Sequence, residues 1–468
     1  MAKPILNSEQ KEAFKAIQRF IEHPAANTFV LKGYAGTGKT FLMQHLAKWL
    51  EEKDYKFSLL ASTGRAATVL RGKTGFEAKT VHSELYNFSK VNGDEEDLPD
   101  DAPTEKFGQM TLQFSLRQPD DSDSKKIYII DESSMLSSEL QSDTSTVAFG
   151  SGFLLVDFFE AVGRNKIIFV GDPGQLPPVG QIFSPALNMD WLAKQQRIAV
   201  SITLKKIERQ DADNDLLILA SVIRNLNPDI RYPKLPASKM NNVKIYPSDK
   251  DLFNAYRERF GKVGSSETLA IARSNRMVRI INRAIRRDLY GALDMPIQNG
   301  DILMVVHNNY SIPFTNGDFA IITELGEEAF KGNLKFRNVK IKGFLSEDEY
   351  EILISLDLLN SKEGNLTKDQ SRELMIEFSR EMKKKGIKIN SDEYRQEMMK
   401  DKYLNCLRAK YGYAVTCHKA QGGEWNEVFL FLEKSMYAME RKELFGWWYT
   451  AITRAKKQLN LANAWWIE

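Results

Sequence analysis

A glycine-rich segment at positions 33–40, Gly-Tyr-Ala-Gly-Thr-Gly-Lys-Thr, constrains the fold of this chain more than any other stretch. It matches the pattern G-x-x-x-x-G-K-[ST] at every fixed position. An apolar run at 29–31 precedes it, and a helical pattern at 42–50 follows it. A strand, a tight turn and a helix N-terminus in this order aim several backbone N–H groups and the positive end of a helix dipole at one place. The segment therefore predicts a phosphate-binding loop in an α/β fold.

The polar side chains of this loop have expected partners on a nucleoside triphosphate. Lys39 is expected to reach the β- and γ-phosphates, and the Thr40 hydroxyl is expected to hold Mg²⁺. The residues predicted to surround the phosphates are Gly33, Gly36, Thr37, Gly38, Lys39 and Thr40. The alternative is a glycine-rich turn that carries a lysine by chance, and the flanking strand and helix patterns argue against it. A nucleoside triphosphate with Mg²⁺ is the expected ligand.

Length and composition indicate a multidomain protein. A chain of 468 residues with 43% hydrophobic residues is long enough for three or four units at roughly 100–200 residues each. No apolar run approaches the roughly 18 residues that span a bilayer, and the first residues lack a signal-peptide core, so a cytoplasmic protein without a membrane partner is expected. Cys406 and Cys417 fit neither a zinc site nor a disulfide framework, which favours a reducing compartment and leaves Mg²⁺ as the expected metal.

The charge of the chain is unevenly distributed. The net charge is only +3, but the stretch 94–123 contains ten acidic residues against Lys106 and Arg117, a local charge of −8. The rest of the chain therefore carries +11. This excess is compatible with a partner that has a phosphate backbone.

Several polar residues follow predicted strands, where a parallel sheet presents its ligand-binding edge. Thr63 follows the apolar run 57–61, and His82 lies in a second polar cluster further on. Gln10 lies in an early helix, where it either caps the helix with Asn7 or contacts the ligand.

A second pair of strand ends carries the residues expected for hydrolysis. The buried strand 127–130 ends in Asp131 and Glu132, which suit Mg²⁺ binding through water and activation of the attacking water, respectively. The next strand, 166–170, is followed by Gln175, whose amide suits a sensor of the γ-phosphate.

Read in order, these segments resemble motifs I, Ia, II and III of superfamily 1 helicases, most closely the RecD and Dda group. The strings that carry the resemblance are Gly-x-x-x-x-Gly-Lys-Thr, Ser-Thr-Gly-Arg-Ala-Ala, Asp-Glu-Ser-Ser-Met and Gly-Asp-Pro-Gly-Gln-Leu-Pro-Pro-Val. Later strings, His-Lys-Ala-Gln-Gly at 418–422 and Tyr-Thr-Ala-Ile-Thr-Arg-Ala-Lys at 449–456, resemble motifs V and VI. The resemblance is weak in the acidic stretch and between 345 and 409.

The resemblance implies an α/β fold with two RecA-like parallel-sheet motor domains. The first is expected to contain a small hairpin insertion, and the second an SH3-like β-barrel with a helical insertion. The implied ranges are 1–86 and 118–200 for the first domain, 87–117 for the hairpin, 201–298 and 405–468 for the second domain, and 299–404 for the barrel and helices. A disordered tip is the alternative for the acidic insertion.

Three helices are predicted within these ranges. Residues 274–290 are expected to form an amphipathic helix with Met277 and Ile280 on its apolar face. Its basic face would carry Arg276, Arg279, Arg283, Arg286 and Arg287. The first three are predicted to track phosphates, with an ordinary solvated face as the alternative. Two further helices are expected at 367–385 and 391–409, with no motif in either.

The resemblance also implies residue roles. Gln10 is expected to read the adenine edge, Gln175 the γ-phosphate, and Glu424 to lie with the nucleotide-binding residues. Arg209 and Arg454 are expected to reach the triphosphate from the second domain and to act with Lys39 and Glu132 in hydrolysis. The implied single-strand path is lined by Thr63, His82, Thr416 and His418, and for the two histidines a satisfied polar residue at a strand end is the alternative.

The implied activity is that of an ATP-dependent DNA helicase or translocase that moves 5′-to-3′ on single-stranded DNA and unwinds duplex DNA. Two alternatives remain open: an ATP-gated nucleic-acid-binding switch without processive unwinding, and an RNA helicase. The expected partners are single-stranded and fork DNA, with replication or recombination proteins as candidates, and the protein is expected to act as a monomer. No nuclease carboxylate cluster is recognisable, so a fused nuclease is not expected.

Overall fold

The computed structural model describes residues 5–92, 111–117, 125–140, 147–207, 214–263, 267–292, 295–309, 311–344, 348–389, 391–463 and 466–468. Within these residues, two sheets are parallel and flanked by helices. A five-stranded antiparallel sheet and a three-stranded sheet accompany them. The α/β class predicted from the sequence is confirmed.

The first parallel sheet and its surroundings occupy the N-terminal half of the chain. Its elements are α1 (Ser8–Glu22), β1 (Thr28–Gly33), α2 (Lys39–Glu52), β2 (Phe57–Ala61), α3 (Gly64–Thr74), β3 (Ala78–Thr80), α4 (Val81–Leu85), β4 (Tyr86–Asn92), β5 (Thr111–Leu116), β6 (Ile127–Asp131), β7 (Val147–Phe149), α5 (Leu154–Val162), β8 (Lys166–Gly171), α6 (Met189–Lys194) and β9 (Ala199–Leu204). The sheet has the order β3-β2-β6-β8-β1-β9, with parallel neighbours throughout.

Both faces of this sheet are covered, which explains the uninterrupted apolar runs of its strands. In β1, Phe29 and Leu31 pack with α1 and α2 on one face. Val30 packs on the opposite face with residues of α5. Because β6, β8 and β1 are parallel neighbours, their carboxyl ends meet at one edge of the sheet, which is the edge predicted to bind the ligand.

The boundary between the two motor domains lies later than predicted. The second domain was expected to start at 201, but β9 pairs in parallel with β1 from Ala199 to Leu204. Six residue pairs of the two strands face each other in register, and β9 is the edge strand of the first sheet.

The three-stranded sheet lies beside the first domain. In it, β4 pairs antiparallel with β5, and β5 pairs parallel with β7, a strand that the sequence did not reveal. The strand β5, and β4 except for Tyr86, fall in the segment 87–117 that was predicted as hairpin-like. Residues 93–110, and most of the acidic stretch 94–123, lie outside the described residues.

The second parallel sheet and the antiparallel sheet share the rest of the chain. The elements are α7 (Asp215–Arg224), β10 (Val243–Tyr246), α8 (Asp249–Val263), β11 (Thr268–Ala272), α9 (Asn275–Tyr290), β12 (Ile302–Val305), β13 (Phe319–Lys331), β14 (Leu334–Gly343), β15 (Glu349–Ser355), α10 (Leu356–Asn360), α11 (Lys368–Lys384), α12 (Asp392–Lys400), β16 (Ala409–Tyr411), β17 (Ala414–Thr416), α13 (Cys417–Ala420), β18 (Trp425–Phe431), α14 (Arg441–Ile452) and β19 (Ala455–Ala462). The parallel sheet has the order β10-β19-β18-β11-β17.

The antiparallel sheet has the order β15-β14-β13-β12-β16. Its last strand, β16, pairs with β12 and lies beyond position 404, where the barrel and helical region was predicted to end. The assignment of this sheet to an SH3-like barrel stays a prediction.

One of the two predicted charged helices is shorter than expected. The helix α11 begins after Thr367, as predicted, and the side chains of Thr367 and Gln370 form a capping box at its start. The helix α12 was expected to reach Ala409 but ends at Lys400. Asp401 Oδ1 accepts hydrogen bonds from the N–H groups of Tyr403 and Leu404 at 2.9 and 2.8 Å, which turns the chain away from the helix axis.

The basic face of α9 also differs from the prediction. Arg286 is 4% exposed and forms a two-pronged ion pair with the fully buried Asp301, at 2.8 and 2.9 Å. Ile280, predicted to be buried, is 50% exposed. The ion pair ties α9 to the start of β12, so Arg286 belongs to the core and not to the basic surface.

Among the described helices, none combines the length and the apolar character that crossing a membrane requires.

Candidate nucleotide site and nucleic-acid path

The glycine-rich segment forms the predicted turn between β1 and α2. Gly36 and Gly38 have φ angles of +79° and +77°, a region that side-chain-bearing residues rarely adopt. A Cβ atom on Gly33 would lie 2.8 Å from Thr37 Oγ1, and one on Gly38 would lie 2.4 Å from Gln10 Nε2. The glycines are therefore required both by backbone conformation and by lack of space.

The lysine of the loop is held above it. Lys39 Nζ donates hydrogen bonds to the carbonyl oxygens of Gly33 at 2.7 Å and Tyr34 at 3.2 Å. Thr37 Oγ1 donates to the same Tyr34 carbonyl at 2.8 Å. The ammonium group thus lies over the mouth of the loop, where a polyphosphate can replace the carbonyls as its partner. Thr40, in the first turn of α2, is half-buried beside it.

Gln10 has the capping role that the sequence left open, and its contact with the adenine edge stays a prediction. Its Oε1 accepts from the N–H of Asn7 at 3.0 Å, which completes a capping box at the start of α1. Its Nε2 donates to the carbonyl of Thr37 at 3.1 Å. The capping hydrogen bonds therefore fix the amide against the glycine-rich loop.

The acidic pair lies at the end of β6. Burial, with a smaller contribution from the charge of Glu132, raises the pKa of Asp131 to about 7, and the nearby ammonium of Lys39 opposes the shift. Glu132 has a φ of +50°, unusual for a non-glycine residue, and its buried Oε2 lacks a hydrogen-bond partner among the described residues. Such backbone strain often occurs at functional sites.

These observations fit a bound divalent cation. A buried carboxyl with a raised pKa and a buried carboxylate oxygen without a hydrogen-bond partner both gain from a nearby positive charge. Oxygen ligands from carboxylate, hydroxyl and water are those that Mg²⁺ prefers.

The loop after β8 carries Gln175, which is buried. Gln421, from the segment after α13, donates through Nε2 to the Leu176 carbonyl at 3.3 Å and to Gln175 Oε1 at 3.5 Å. Thr450 Oγ1, on α14, accepts from the N–H of Leu176 at 2.9 Å. The predicted γ-phosphate sensor is therefore held from the second domain.

Another residue of α14 reaches further into the first domain. Tyr449 Oη donates to Asp172 Oδ2 at 2.7 Å and accepts from the N–H of Ala35 at 3.0 Å. The Arg224 guanidinium, at the end of α7, lies 3.5 Å from the ring centre of Tyr34. The second domain thus contacts the glycine-rich loop directly.

Of the two arginines predicted to act from the second domain, Arg454 is described and Arg209 lies outside the described residues. Arg454 is 4% exposed. Its guanidinium donates to the carbonyls of Thr450 and Gly423 and to Thr453 Oγ1, at 3.0 to 3.1 Å. These partners are neutral and belong to its own domain. Glu424, beside Gly423, is half-buried.

Two of the predicted nucleic-acid residues occupy equivalent places in the two domains. Thr63 precedes α3 at the end of β2 and caps this helix by accepting from the N–H of Ala66 at 3.2 Å. Thr416 ends β17 and precedes α13, without a capping hydrogen bond from its side chain. The two segments approach each other closely, because a Cβ atom on Gly422 would lie 3.2 Å from Ala66 Cβ.

The two histidines of the predicted path differ from charged phosphate ligands. Burial lowers the pKa of His82 to about 4, and its ring lies among those of Tyr86 and Phe149. Burial, with help from the charge of Lys419, lowers the pKa of His418. Both histidines are therefore neutral near pH 7. A neutral ring favours the alternative interpretation of the two histidines, as polar residues without a charge for a phosphate.

The three arginines predicted to track phosphates lie along α9. Arg276 and Arg283 are exposed, and Arg279 is half-buried, with a long hydrogen bond of 3.4 Å to the Lys362 carbonyl. Their helix starts directly after β11 and so begins at the carboxyl edge of the second parallel sheet.

Several residues at the junction of the domains were not predicted. Tyr449 and Gln421 stood inside recognised strings, but without a role. Arg65 lies between the rings of Phe319 and Trp425, 4.9 and 4.3 Å from their centres. Burial lowers the pKa of Arg65 to about 10. The sequence signal that could have identified these residues was their position inside or beside the motifs. Their contacts could not be predicted, because the partners are distant in sequence.

Comparison with known proteins agrees with this geometry. The sequence profile of an AAA domain matches residues 5–226, and that of a UvrD-like helicase C-terminal domain matches residues 411–462. The ATP-dependent RecD2 DNA helicase of Deinococcus radiodurans is 24% identical over 448 residues, which cover 94% of this chain and 47% of the relative. The RecBCD enzyme subunit RecD of Buchnera aphidicola is 22% identical, over 64% of this chain and 49% of the relative.

The chain spans about half the length of these two curated relatives. Among solved structures, the Pif1 helicase from Bacteroides in complex with ADP-AlF3 and ssDNA superposes with a TM-score of 0.50 at 17% identity. The alignment covers 99% of this chain and 93% of that one, and at this identity it shows a shared fold. Taken with the ordered motifs and the two parallel sheets, these matches show that the chain is similar to superfamily 1 helicases of the RecD type, which supports the resemblance found in the sequence.

Proposed function

We propose that this protein is an ATP-dependent DNA helicase that moves 5′-to-3′ along single-stranded DNA and unwinds duplex DNA. The nucleotide would bind between the two parallel-sheet domains, and its hydrolysis would open and close the cleft between them. The relatives named RecD2 and RecD support a DNA substrate. The 5′-to-3′ direction rests on the resemblance to the RecD and Dda group.

The observation that carries the proposal is the contact of the second domain with the phosphate-binding loop. The N–H of Ala35 bonds to Tyr449, and Gln175 bonds to Gln421. A site shared by two domains can convert the loss of a phosphate into relative movement of the domains, which a site within one domain cannot do directly.

Each part of the nucleotide has residues suited to it. The loop N–H groups and Lys39 bind the phosphates, and Gln10 lies where the adenine edge would be read. Asp131 and Thr40 would hold Mg²⁺, which when bound neutralises charge on the phosphates. Glu132 would take the proton of the attacking water. Gln175 would contact the γ-phosphate, and Arg454 would reach it from the second domain, as the resemblance also implies for Arg209.

The single strand would run across the carboxyl edges of both sheets. Thr63 and Thr416 are suited to contact its phosphates through hydroxyl and backbone N–H groups, and Arg276, Arg279 and Arg283 through charge. Since His82 and His418 are neutral at pH 7, they would contribute hydrogen bonds or ring contacts.

The first test is ATP hydrolysis by the purified protein with and without single-stranded DNA. We expect DNA to stimulate the rate, and expect Lys39→Ala and Glu132→Gln to abolish the stimulated rate while the circular dichroism spectrum stays that of the wild type. Lys48→Ala removes an exposed lysine from the same helix, α2, and is the matched control. We expect wild-type turnover in this variant. Near-normal turnover in either site variant would refute the assignment of the active site.

A further inference from the structure

The side chain of Tyr449 joins three parts of the protein. It lies on α14 of the second domain, and its hydroxyl bonds both to Asp172, after β8, and to the N–H of Ala35, in the phosphate-binding loop. Its ring is also closely packed, because a Cβ atom on Gly174 would lie 3.0 Å from Tyr449 Cε1. The two partners belong to different loops of the first domain, so one side chain holds both.

The direction of these two hydrogen bonds is fixed. Burial, with help from the charge of Asp172, raises the pKa of Tyr449, so its hydroxyl stays protonated at neutral pH. The single proton is donated to the Asp172 carboxylate, and a lone pair accepts from the N–H of Ala35. A phenylalanine at this position keeps the ring and makes neither bond.

Asp172 in turn shapes the loop that carries Gln175. Its Oδ1 accepts from the N–H of Gly174 at 2.9 Å, and its carbonyl accepts from the N–H of Gln175 at 3.2 Å. Asp172 is fully buried, so solvent cannot replace the hydrogen bond that Tyr449 makes to its other oxygen. Tyr449 is thereby linked to the turn that carries Gln175 through Asp172.

We propose that Tyr449 is a positioning residue that latches the second domain onto both the phosphate-binding loop and the Gln175 loop, and that efficient hydrolysis requires this latch. The inference rests on the proposed ATP-driven function and adds a residue to it. In the latched state, the Tyr449 hydroxyl bonds both to an N–H of the phosphate-binding loop and to Asp172, which holds the turn that carries Gln175. Opening of the cleft breaks both contacts together.

The latch can be measured directly by fluorescence energy transfer between the domains. Cys406 and Cys417 are both buried, so cysteines introduced at the exposed Glu52 and Lys442 can be labelled on the native protein. A hydrogen bond to a charged, buried partner contributes about 1.5–3 kcal/mol, so Tyr449→Phe is expected to lower the ratio of closed to open molecules about tenfold or more. An unchanged ratio would overturn the proposal.

The second measurement separates positioning from general stability. Tyr394→Phe is the matched control, because Tyr394 is also buried and its hydroxyl also makes a hydrogen bond, to Ser379 at 2.8 Å on α11. We expect Tyr449→Phe to reduce kcat of DNA-stimulated ATP hydrolysis about tenfold with little change in KM for ATP. Tyr394→Phe is expected to lower only the melting temperature. Equal kcat values in the wild type and Tyr449→Phe would show that the hydroxyl only stabilises the fold.

The two measurements also keep this proposal distinct from the function proposed above. A wild-type protein that hydrolyses no ATP would contradict the ATP-driven function, yet the energy-transfer ratio would still decide whether Tyr449 holds the cleft closed. A wild-type protein with DNA-stimulated hydrolysis and an unaffected Tyr449→Phe variant would leave the function standing and remove the latch.

Discussion

At the scale of single residues, the environment of a side chain decides the role that its chemistry permits. His82 was expected on the strand path, but its ring centre lies 5.9 Å from that of Tyr86 and 5.5 Å from that of Phe149. Burial lowers the pKa of His82 to about 4, against about 6.5 in an unfolded chain. His82 is therefore neutral near pH 7, whereas a histidine that binds a phosphate by charge would be protonated.

His82 should make the stability of the protein depend on pH. A depressed pKa contributes stability that is present above about pH 6.5 and is lost as the pH falls towards 4. We expect His82→Phe to remove on the order of 1–2 kcal/mol of the decrease in unfolding free energy between pH 7 and pH 5. Urea unfolding at several pH values measures this slope, and titration of the His82 ring near pH 6.5 in an NMR experiment would contradict the expectation.

Arg454 presents the opposite case, a charged residue with neutral partners. Its guanidinium bonds to two carbonyls and a hydroxyl of its own domain, so it must exchange some of these partners to reach a phosphate. Since an arginine that stabilises the transition state is typically worth about 10³–10⁵ in rate, Arg454→Ala should reduce turnover by at least about 10³.

ATP affinity should change much less in the same Arg454→Ala variant, measured with a fluorescent ATP analogue. The thermal unfolding profile checks that the buried position tolerates the change, and Arg454→Lys, which retains the charge but not the planar fork, should also be impaired. Turnover within a few-fold of the wild type would restrict Arg454 to a structural role.

At the scale of elements, local patterns predicted the parts whose neighbours in space are neighbours in sequence. The strand, loop and helix around Lys39 are confirmed because their backbone geometry is specified by the glycines between them. The helix α12 was predicted too long, because the turn at Asp401 that ends it was not recognised. The predicted start of the second domain at 201 was too early, because the place of β9 depends on pairing with β1, which is distant in sequence. Arg286 was misplaced for the same reason, since its partner Asp301 lies on another element.

The remaining basic face of α9 yields a prediction about salt dependence. If Arg276, Arg279 and Arg283 contact phosphates, each lost contact lowers the salt slope of single-strand binding by roughly 0.7, without a change in sequence preference. The triple alanine variant should therefore show a slope smaller by about 2, measured by fluorescence anisotropy at several salt concentrations. Arg19→Ala, at an exposed position on α1, is the control. An unchanged slope in the triple variant would return these residues to the solvated surface.

At the scale of the whole molecule, the candidate site is divided between two domains. The structure places the phosphate-binding loop, the acidic pair and Gln175 after β1, β6 and β8, as the recognisable strings that follow these strands predicted. The sequence did not predict Tyr449 as a partner of Asp172, since the two residues are 277 positions apart and neither pattern specifies the other. Contacts between domains are specified by the complete fold, which is why motif reading assigned residues to the site but not the bonds that join them.

The central claim is that closure of this divided site drives movement along DNA in one direction. Strand separation on duplexes with either a 5′ or a 3′ single-stranded tail tests it most directly, with Lys39→Ala as the inactive control. We predict ATP-dependent unwinding from the 5′-tailed duplex and little from the 3′-tailed one. ATP hydrolysis stimulated by DNA without separation of either duplex, or efficient unwinding only from the 3′ tail, would contradict the account.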